Sequence, residues 1–222
     1  MATIADNLQA VKRRLERACA SHAQVTLLAV SKGQPLERVR EAAAAGQKAF
    51  GENYVQEALE KMSALPELEW HLIGPLQSNK TRLVAERFAW VQTLASEKIA
   101  RRLSEQRPAS LPPLNVLVQV NVSGEATKSG VLSKDAFSLC EAIKGLKNLR
   151  LRGLMAIPEP GAERARYRSM KALYDNLKDQ PGFDTLSMGM SDDLDLAIAE
   201  GSTMVRIGTA IFGARKKERD AA

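Results

Sequence analysis

The sequence predicts an α/β fold, a single (β/α)8 TIM-type barrel with an extra N-terminal helix. Eight short apolar runs alternate with helix-like segments along the 222 residues. The runs, of which 115–120 (NVLVQV) is typical, are apolar with little alternation, as expected for parallel strands that are covered on both faces. We therefore expect residues 1-222 to form one domain. A doubly wound open sheet is the alternative, because periodicity does not show whether a sheet closes.

The elements follow in chain order from the spacing of the apolar residues. Near the N-terminus these residues recur at helical spacing and predict an amphipathic helix, with Ile4, Leu8, Val11 and Leu15 on one face. The predicted strands are residues 25–30, 49–51, 70–73, 90–94, 115–120, 151–157, 185–188 and 204–207. The predicted helices between them lie near residues 36–45, 53–64, 79–86, 96–106, 133–145, 162–179 and 192–200.

Composition excludes several classes of protein. No stretch approaches the roughly 18 apolar residues of a membrane span. The N-terminal segment also lacks the apolar core of a signal peptide, so we predict a cytoplasmic protein without membrane contact. Cys19 and Cys140 lie far apart and are expected to be reduced thiols. The chain has two histidines and no Cys/His cluster, which predicts that it has no metal site.

The formal net charge of +6 permits nucleic-acid binding but does not require it. The basic clusters 12–14 and 215–217 fit a solvated helix face and a chain terminus. Aromatic residues make up 5% of the chain, and no RNA-binding motif with interleaved aromatics occurs. We predict no nucleic-acid partner and expect the charge to favour small phosphorylated ligands. A nucleic-acid-binding module stays as an alternative that the salt dependence of RNA binding would reveal.

Polar residues follow the predicted strands, where a (β/α)8 barrel carries its chemistry. Lys32 follows the first strand in the segment AVSKGQP, and Pro35 predicts that a helix begins at once, so Lys32 lies in a tight turn. Asn53 follows the second strand. From its position alone, Lys32 is better interpreted as an exposed lysine at a strand end. Lys128, in a loop after the fifth strand, is either a solvated lysine or a second amine near the same mouth.

The last two strands predict an anion site. Gly208 lets backbone amides approach an anion, and Thr209 adds a hydroxyl at the start of a short helix. Ser187 and Gly189, on the seventh strand and its loop, would complete this phosphate cradle. Arg206 lies inside an apolar strand and needs a partner, either a barrel carboxylate or a ligand acceptor. A lysine, an anion cradle and an arginine together suit pyridoxal 5'-phosphate (PLP).

Two further motifs have structural interpretations. The residues Ser191, Asp192 and Asp193 predict a helix N-cap with acids in the first turn, to which we assign no chemistry. His71, within a strand, is predicted to be a core histidine bonded to the backbone, although its ring could also face a ligand.

Several segments, taken together and in order, resemble the YggS/PROSC family of PLP-binding proteins. They are LLAVSKGQP, AFGENYVQEALEK, EWHLIGPLQSNKTRLV, LNVLVQVNVSGEATKSG, LRGLMAIPEP and LSMGMSDDLDLAIAEGSTMVRIGTAIFGAR. The resemblance runs from about Val25 to Arg215 and rests on no single motif. It implies an alanine-racemase-like barrel without that enzyme's second domain, and a role in PLP homeostasis with no established catalytic activity.

The resemblance also implies roles for individual residues. Lys32 is the Schiff-base lysine, Asn53 lies near the cofactor, and Arg206 faces the ring nitrogen. The phosphate cradle consists of Ser187, Gly208 and Thr209. After Lys32 this chain has Gly33-Gln34-Pro35, where the family commonly carries Thr-Lys/Val-Pro. We expect this difference to loosen the turn and to remove a neighbouring cation.

The function expected from these residues is reversible binding of PLP as a Schiff base, with buffering or delivery of the cofactor inside the cell. Apo forms of PLP-dependent enzymes are the expected recipients, Lys128 is a candidate amine for the transfer step, and we expect a monomer. The alternative is a PLP-dependent amino-acid racemase. Racemisation needs an acid or base on each face of the substrate, and the tyrosines that could serve beside Lys32 all fall in predicted helices, namely Tyr54, Tyr167 and Tyr174.

Overall fold

The structure, a computed structural model, describes residues 2–19, 24–125, 128–159, 161–178 and 182–214. The basic segment 215–217 lies outside these residues. The strands of the described chain form one parallel sheet. They are β1 (Thr26–Val30), β2 (Ala49–Glu52), β3 (Glu69–Leu72), β4 (Trp90–Leu94), β5 (Leu114–Asn121), β6 (Val131–Leu132), β7 (Leu149–Ala156), β8 (Thr185–Ser187) and β9 (Met204–Ile207).

The sheet closes into an eight-stranded barrel. Around the barrel the order is β1, β2, β3, β4, β5, β7, β8 and β9, and β9 pairs again with β1. Ala29 of β1 pairs with Phe50 on one side and with Ile207 on the other. The two-residue strand β6 pairs with the end of β5, outside the ring. The predicted barrel is confirmed and the open-sheet alternative is wrong, because each of the eight strands has a parallel neighbour on both sides.

Helices connect the strands and cover the barrel. They are α1 (Ile4–Ala18), α2 (Leu36–Ala44), α3 (Val55–Ala64), α4 (Thr81–Arg87), α5 (Glu97–Gln106), α6 (Ser133–Lys144), α7 (Arg164–Leu177), α8 (Leu194–Ala199) and α9 (Thr209–Phe212). The predicted helices are confirmed, with ends that shift by a few residues. None of the helices in the described ranges has both the length and the apolar character that a bilayer crossing requires.

Helix α1 precedes the barrel, as its periodicity predicts. It begins in a capping box: the Thr3 hydroxyl accepts a hydrogen bond from the Asp6 amide, and the Asp6 carboxylate accepts one from the Thr3 amide. The four predicted apolar residues are the buried residues of this helix. They pack it against α2, α8 and α9. The helix therefore packs next to the connection between β9 and α9.

The alternation of side chains along the strands separates two apolar regions. Outward-facing residues, such as Phe50 and Val205, join the large core beneath the helices. Inward-facing residues form smaller clusters inside the barrel, one with Leu28, Ile73 and Met204 and another with Trp90, Leu117 and Met155. The barrel interior is thus a packed core, and polar side chains among these residues must find partners there.

Candidate functional site

A cavity of about 270 Å³ opens at the C-terminal ends of the strands. It brings together five of the predicted site residues, Lys32, Asn53, Arg206, Gly208 and Thr209. The remaining lining residues are Val30, Gln34, Ile73, Ile157, Met190, Ser191, Asp192 and Gly213. None of these eight residues was assigned to the site from the sequence. Ser191 and Asp192 were interpreted as a helix cap, and nothing in the residue types of the other six points to a ligand.

Lys32 lies in a tight turn between β1 and α2, as predicted. Gly33 has a φ angle of +66°, in the left-handed region that glycine adopts at little cost. Its amide donates a hydrogen bond to Glu57 Oε1 at 2.6 Å, and the Gln34 amide donates to the Ser31 carbonyl at 3.0 Å. Hydrogen bonds thus hold both sides of the turn, and the looser turn expected from Gly33 stays a prediction.

Arg206 is buried in the barrel wall at the floor of the cavity. Its Nη1 donates to Ser187 Oγ at 2.8 Å, and its Nη2 donates to the Ala156 carbonyl at 2.9 Å. Both acceptors are neutral, and no carboxylate within the described ranges pairs with the guanidinium. Burial lowers the pKa of Arg206 to about 10, so the side chain is still cationic at neutral pH.

The hydrogen bonds continue from Arg206 through the barrel interior. Ser187 Oγ donates to Gln92 Oε1 at 2.7 Å, and Gln92 Nε2 donates to His71 Nδ1 at 2.9 Å. His71 Nε2 then bonds to Glu69 Oε1 at 2.9 Å. We call these five side chains, from Arg206 to Glu69, the interior chain. Ser187 therefore lies below Arg206 and does not line the cavity, although the sequence placed it in the phosphate cradle.

His71 is the middle member of the interior chain. It is fully buried and stacks on Trp90, with ring centroids 5.0 Å apart. The prediction that it bonds to the backbone was wrong, since both ring nitrogens bond to side chains. Burial lowers the pKa of His71, which favours the neutral ring. Because Gln92 Nε2 can only donate, Nδ1 is the acceptor and Nε2 carries the proton.

Two loops form the opposite wall of the cavity. Ser191 Oγ accepts a hydrogen bond from the Ala210 amide at 3.4 Å, which links the loop after β8 to α9. Asp193 precedes α8, as the predicted N-cap, but its side chain does not cap the helix. It accepts hydrogen bonds from the Met190 amide at 2.5 Å and from the Tyr167 hydroxyl. The acidic motif thus holds the loop in shape, because its carboxylate bonds to the loop itself.

A second cavity, of about 290 Å³, adjoins the first and shares Asn53, Ile73 and Ile157 with it. Lys128 lines this second cavity, and its Nζ lies 2.8 Å from Glu125 Oε1 and 3.4 Å from Glu159 Oε2. Hydrogen bonding to Glu125 raises the pKa of Lys128, so the amine is held as an ammonium. Within the described residues, no group of three or more His, Cys, Asp or Glu side chains could hold a metal ion.

Comparison with known proteins identifies the family. A family model described as the N-terminal domain of alanine racemase matches residues 1–216. The pyridoxal phosphate homeostasis protein of Pseudomonas aeruginosa is 60% identical over 223 residues, which cover 97% of both chains. The protein of the same name from Escherichia coli (strain K12) is 53% identical, over 97% of this chain and 98% of that one.

Solved structures agree with these matches. PipY of Synechococcus elongatus, in a structure with PLP bound, superposes with a TM-score of 0.80 at 35% identity and covers 95% of this chain and 100% of its own. An alanine racemase of Clostridium difficile has a TM-score of 0.75 at 14% identity, over 96% of this chain and 58% of that enzyme, and shares the fold. The described chain accordingly belongs to the family of the alanine racemase N-terminal domain.

Proposed function

We propose that this chain binds PLP in the first cavity, as a Schiff base with Lys32, and that it buffers or delivers the cofactor. The observation that carries the proposal is the convergence of an amine, a buried guanidinium and a glycine-containing loop on one cavity of small-molecule size. The names of the relatives and the PLP-bound PipY structure support it. PLP supplies an aldehyde that condenses reversibly with a primary amine and releases water.

The residues around the cavity suit the parts of PLP. Lys32 provides the amine, and Arg206 provides donors without any acceptor, so it suits an unprotonated pyridine nitrogen. Gly208 and Thr209 are placed to hold the phosphate. A Cβ at position 208 would lie 3.3 Å from the Val30 carbonyl oxygen. The absence of a side chain at Gly208 therefore lets its backbone lie close to Val30, which also lines the cavity. We assign Ser187 to hold Arg206, since its hydroxyl is already bonded to that side chain and to Gln92.

The geometry supports a carrier better than a racemase. The chain has three tyrosines, and none of them lines the first cavity. Tyr54 is exposed at the start of α3, while Tyr167 and Tyr174 are buried in α7. A pyridine nitrogen that accepts from Arg206 is unprotonated, and such a ring is a poorer electron sink for amino-acid chemistry. We further propose that the protein acts in the cytoplasm as a monomer and passes PLP to apo forms of PLP-dependent enzymes.

An absorbance spectrum of the purified protein with PLP, recorded before and after borohydride reduction, tests this function. We expect an imine absorption band that reduction abolishes, and a pyridoxyl group that peptide mapping places on Lys32. Incubation of the holo-protein with an amino acid should give no exchange of the α-proton. A reduced adduct that lies mainly on another lysine would overturn the assignment of Lys32, and α-proton exchange would favour the racemase.

A further inference from the structure

Buried charged side chains hold the residues on both sides of Lys32. The centre of this arrangement is Lys61 of α3, whose side chain is only 6% exposed. Its ammonium group donates to the Ser31 carbonyl, to Glu52 Oε1 and to Glu57 Oε1, each at 2.7 Å. A buried lysine usually needs such partners, because water no longer solvates its charge. One cation thus joins the turn after β1, the end of β2 and the first turn of α3.

Glu52 completes the hold on Ser31. Its carboxylate is fully buried and accepts a hydrogen bond from Ser31 Oγ at 2.6 Å through the oxygen that also binds Lys61. The other oxygen, Oε2, has no hydrogen-bond partner in the described part of the chain. Burial raises the pKa of Glu52. Ser31 is therefore bound at its carbonyl and at its hydroxyl by the same charged cluster.

Glu57 holds the other side of the turn. It lies one helical turn before Lys61 on the same face of α3, and its Oε1 accepts both from Lys61 Nζ and from the Gly33 amide. The residue before Lys32 and the residue after it are consequently bonded to one pair of side chains. The Lys32 side chain, between these fixed points, lines the first cavity.

We propose that Glu57 and Lys61 are positioning residues for the Lys32 amine, which they aim at the aldehyde by fixing the backbone on both sides of it. This inference rests on the proposed function. Condensation needs the amine at a defined distance and angle from the carbonyl carbon, and a fixed attachment point provides this without loss of freedom at the moment of reaction. Glu57 and Lys61 should therefore affect the reaction of Lys32 and leave the binding of the ring and the phosphate unchanged.

The test compares two ligands that differ at the reacting carbon. PLP carries an aldehyde, whereas pyridoxine 5'-phosphate carries a hydroxymethyl group and forms no covalent bond. The variant Glu57→Gln removes one charge at a side chain that is 25% exposed, so it disturbs folding less than a change at Lys61. We expect the Lys32 adduct, trapped with cyanoborohydride, to form roughly tenfold more slowly, which is the lower end of the value of one charge-assisted hydrogen bond. The affinity for pyridoxine 5'-phosphate should change less than about twofold.

Glu60→Gln, an exposed position on the same helix, is the matched control and should behave as the wild type. Lys61→Met provides a second test where it folds, and it should slow the adduct at least as much as Glu57→Gln. An adduct rate in Glu57→Gln equal to that of Glu60→Gln would overturn the inference. An equal loss of affinity for both ligands would also overturn it, because the pair would then merely support the cavity.

The wild-type protein separates this inference from the proposed function. Failure of the wild type to form any adduct at Lys32 would contradict the proposed function itself. A normal wild-type adduct with an unaffected Glu57→Gln variant would contradict only the positioning role of Glu57 and Lys61. Unfolding midpoints of the three variants, measured without ligand, show whether a slower reaction reflects a damaged fold.

Discussion

Arg206 combines a charge with burial and has two neutral acceptors, so its remaining donors are available to a ligand in the cavity. We expect Arg206→Ala to weaken PLP binding by about 1.5–3 kcal/mol, the value of a hydrogen bond to a charged group. The Lys32 adduct should still form at high PLP concentration, because the amine and the turn that holds it are intact. Titration of the purified variant, with borohydride trapping, measures both. Wild-type affinity in this variant would show that Arg206 does not contact the cofactor.

We have assigned Thr209 to the phosphate and Ser187 to Arg206, which we place at the ring nitrogen. Pyridoxal, which lacks the phosphate, distinguishes the two assignments. Ser187→Ala removes an acceptor from Arg206, so it should weaken the binding of PLP and of pyridoxal by the same factor. Thr209→Ala should weaken PLP alone, by about 1.5 kcal/mol, the lower end for a hydrogen bond to a charged group, because the backbone amides of the loop are still available to the phosphate. Parallel titrations with both ligands measure the two ratios. A loss in Ser187→Ala that is confined to PLP would return Ser187 to the phosphate cradle.

Lys128 lies in the cavity beside the proposed PLP site. Its amine would bond to the aldehyde carbon and free the Lys32 amine, and such an exchange between amines is faster than hydrolysis by water. We expect Lys128→Ala to slow the transfer of PLP to an apo-enzyme while leaving the equilibrium affinity nearly unchanged. Since the attacking amine must be neutral and Glu125 raises the pKa of Lys128, transfer by the wild type should accelerate with pH. Lys134→Ala, an exposed position on α6, is the control. Equal transfer rates in both variants would leave Lys128 as a surface residue.

At the scale of elements, helix α1 contributes polar contacts as well as apolar packing. Arg14 Nη1 donates to the Ser191 carbonyl at 2.8 Å, and Asn7 Nδ2 donates to the Ile211 carbonyl at 3.0 Å. Ser191 lines the first cavity, and Ile211 belongs to α9, which begins at the cavity with Thr209. The helix that precedes the barrel therefore bonds to the loop after β8 and to α9, and Ser191 of that loop accepts from the Ala210 amide, next to the proposed phosphate-binding residue Thr209.

Arg14→Ala should accordingly lower the affinity for PLP more than the affinity for pyridoxal. The ion pair of Arg14 with Asp195 is partly exposed, so it adds about 0–1 kcal/mol to the free energy of unfolding. We thus expect a small change in the unfolding midpoint beside a clear change in the ratio of the two affinities. Arg13→Ala, exposed on the same helix, is the control. Equal losses of affinity for both ligands would show that α1 does not act on the proposed phosphate-binding residues, Gly208 and Thr209.

The elements and the position of the site were predictable because both follow from local patterns. Apolar runs and helical spacing give the strands and helices, and the geometry of parallel barrels places their C-terminal ends together. Partners that lie far apart along the chain were not predictable. Gln92 bonds to Ser187 across 95 positions, and the pairing depends on which side chains point inward. Glu57 and Lys61 have the spacing of an ordinary exposed helix pair, and only the fold buries Lys61.

At the scale of the whole molecule, the interior chain makes stability depend on pH. The pKa of His71 is lower in the folded protein than its ordinary value of 6.5, so the unfolded chain binds more protons near that pH. The contribution of His71 to the free energy of unfolding is complete above pH 6.5, and it is lost as the pH falls towards the pKa of His71 in the folded protein. The wild-type free energy of unfolding should therefore decrease below about pH 6.5, with up to about 1.4 kcal/mol per pH unit from this residue.

Denaturant titrations of the wild type and of His71→Gln, between about pH 5.5 and 7.5, measure this effect. The variant lacks the titrating ring, so its free energy of unfolding should vary less with pH. Glu52 contributes with the opposite sign, because its pKa is raised and its contribution is lost as the pH rises through the folded value. It is unchanged in the variant and cancels in the comparison. Identical pH profiles would mean that His71 titrates in the folded protein as it does in the unfolded chain.

The interior chain also fixes which atom donates and which accepts in each of its hydrogen bonds. Arginine offers no acceptor and a carboxylate offers no donor, so Arg206 at one end and Glu69 at the other allow a single arrangement of the hydrogens between them. Gln92 cannot exchange its amide nitrogen and oxygen, and His71 cannot change its tautomer, without breaking bonds in the barrel. A ligand atom in the first cavity that faces the Arg206 guanidinium therefore meets only N–H donors. For a ligand bound as we propose, we therefore expect the ring nitrogen that faces Arg206 to be held in its unprotonated form.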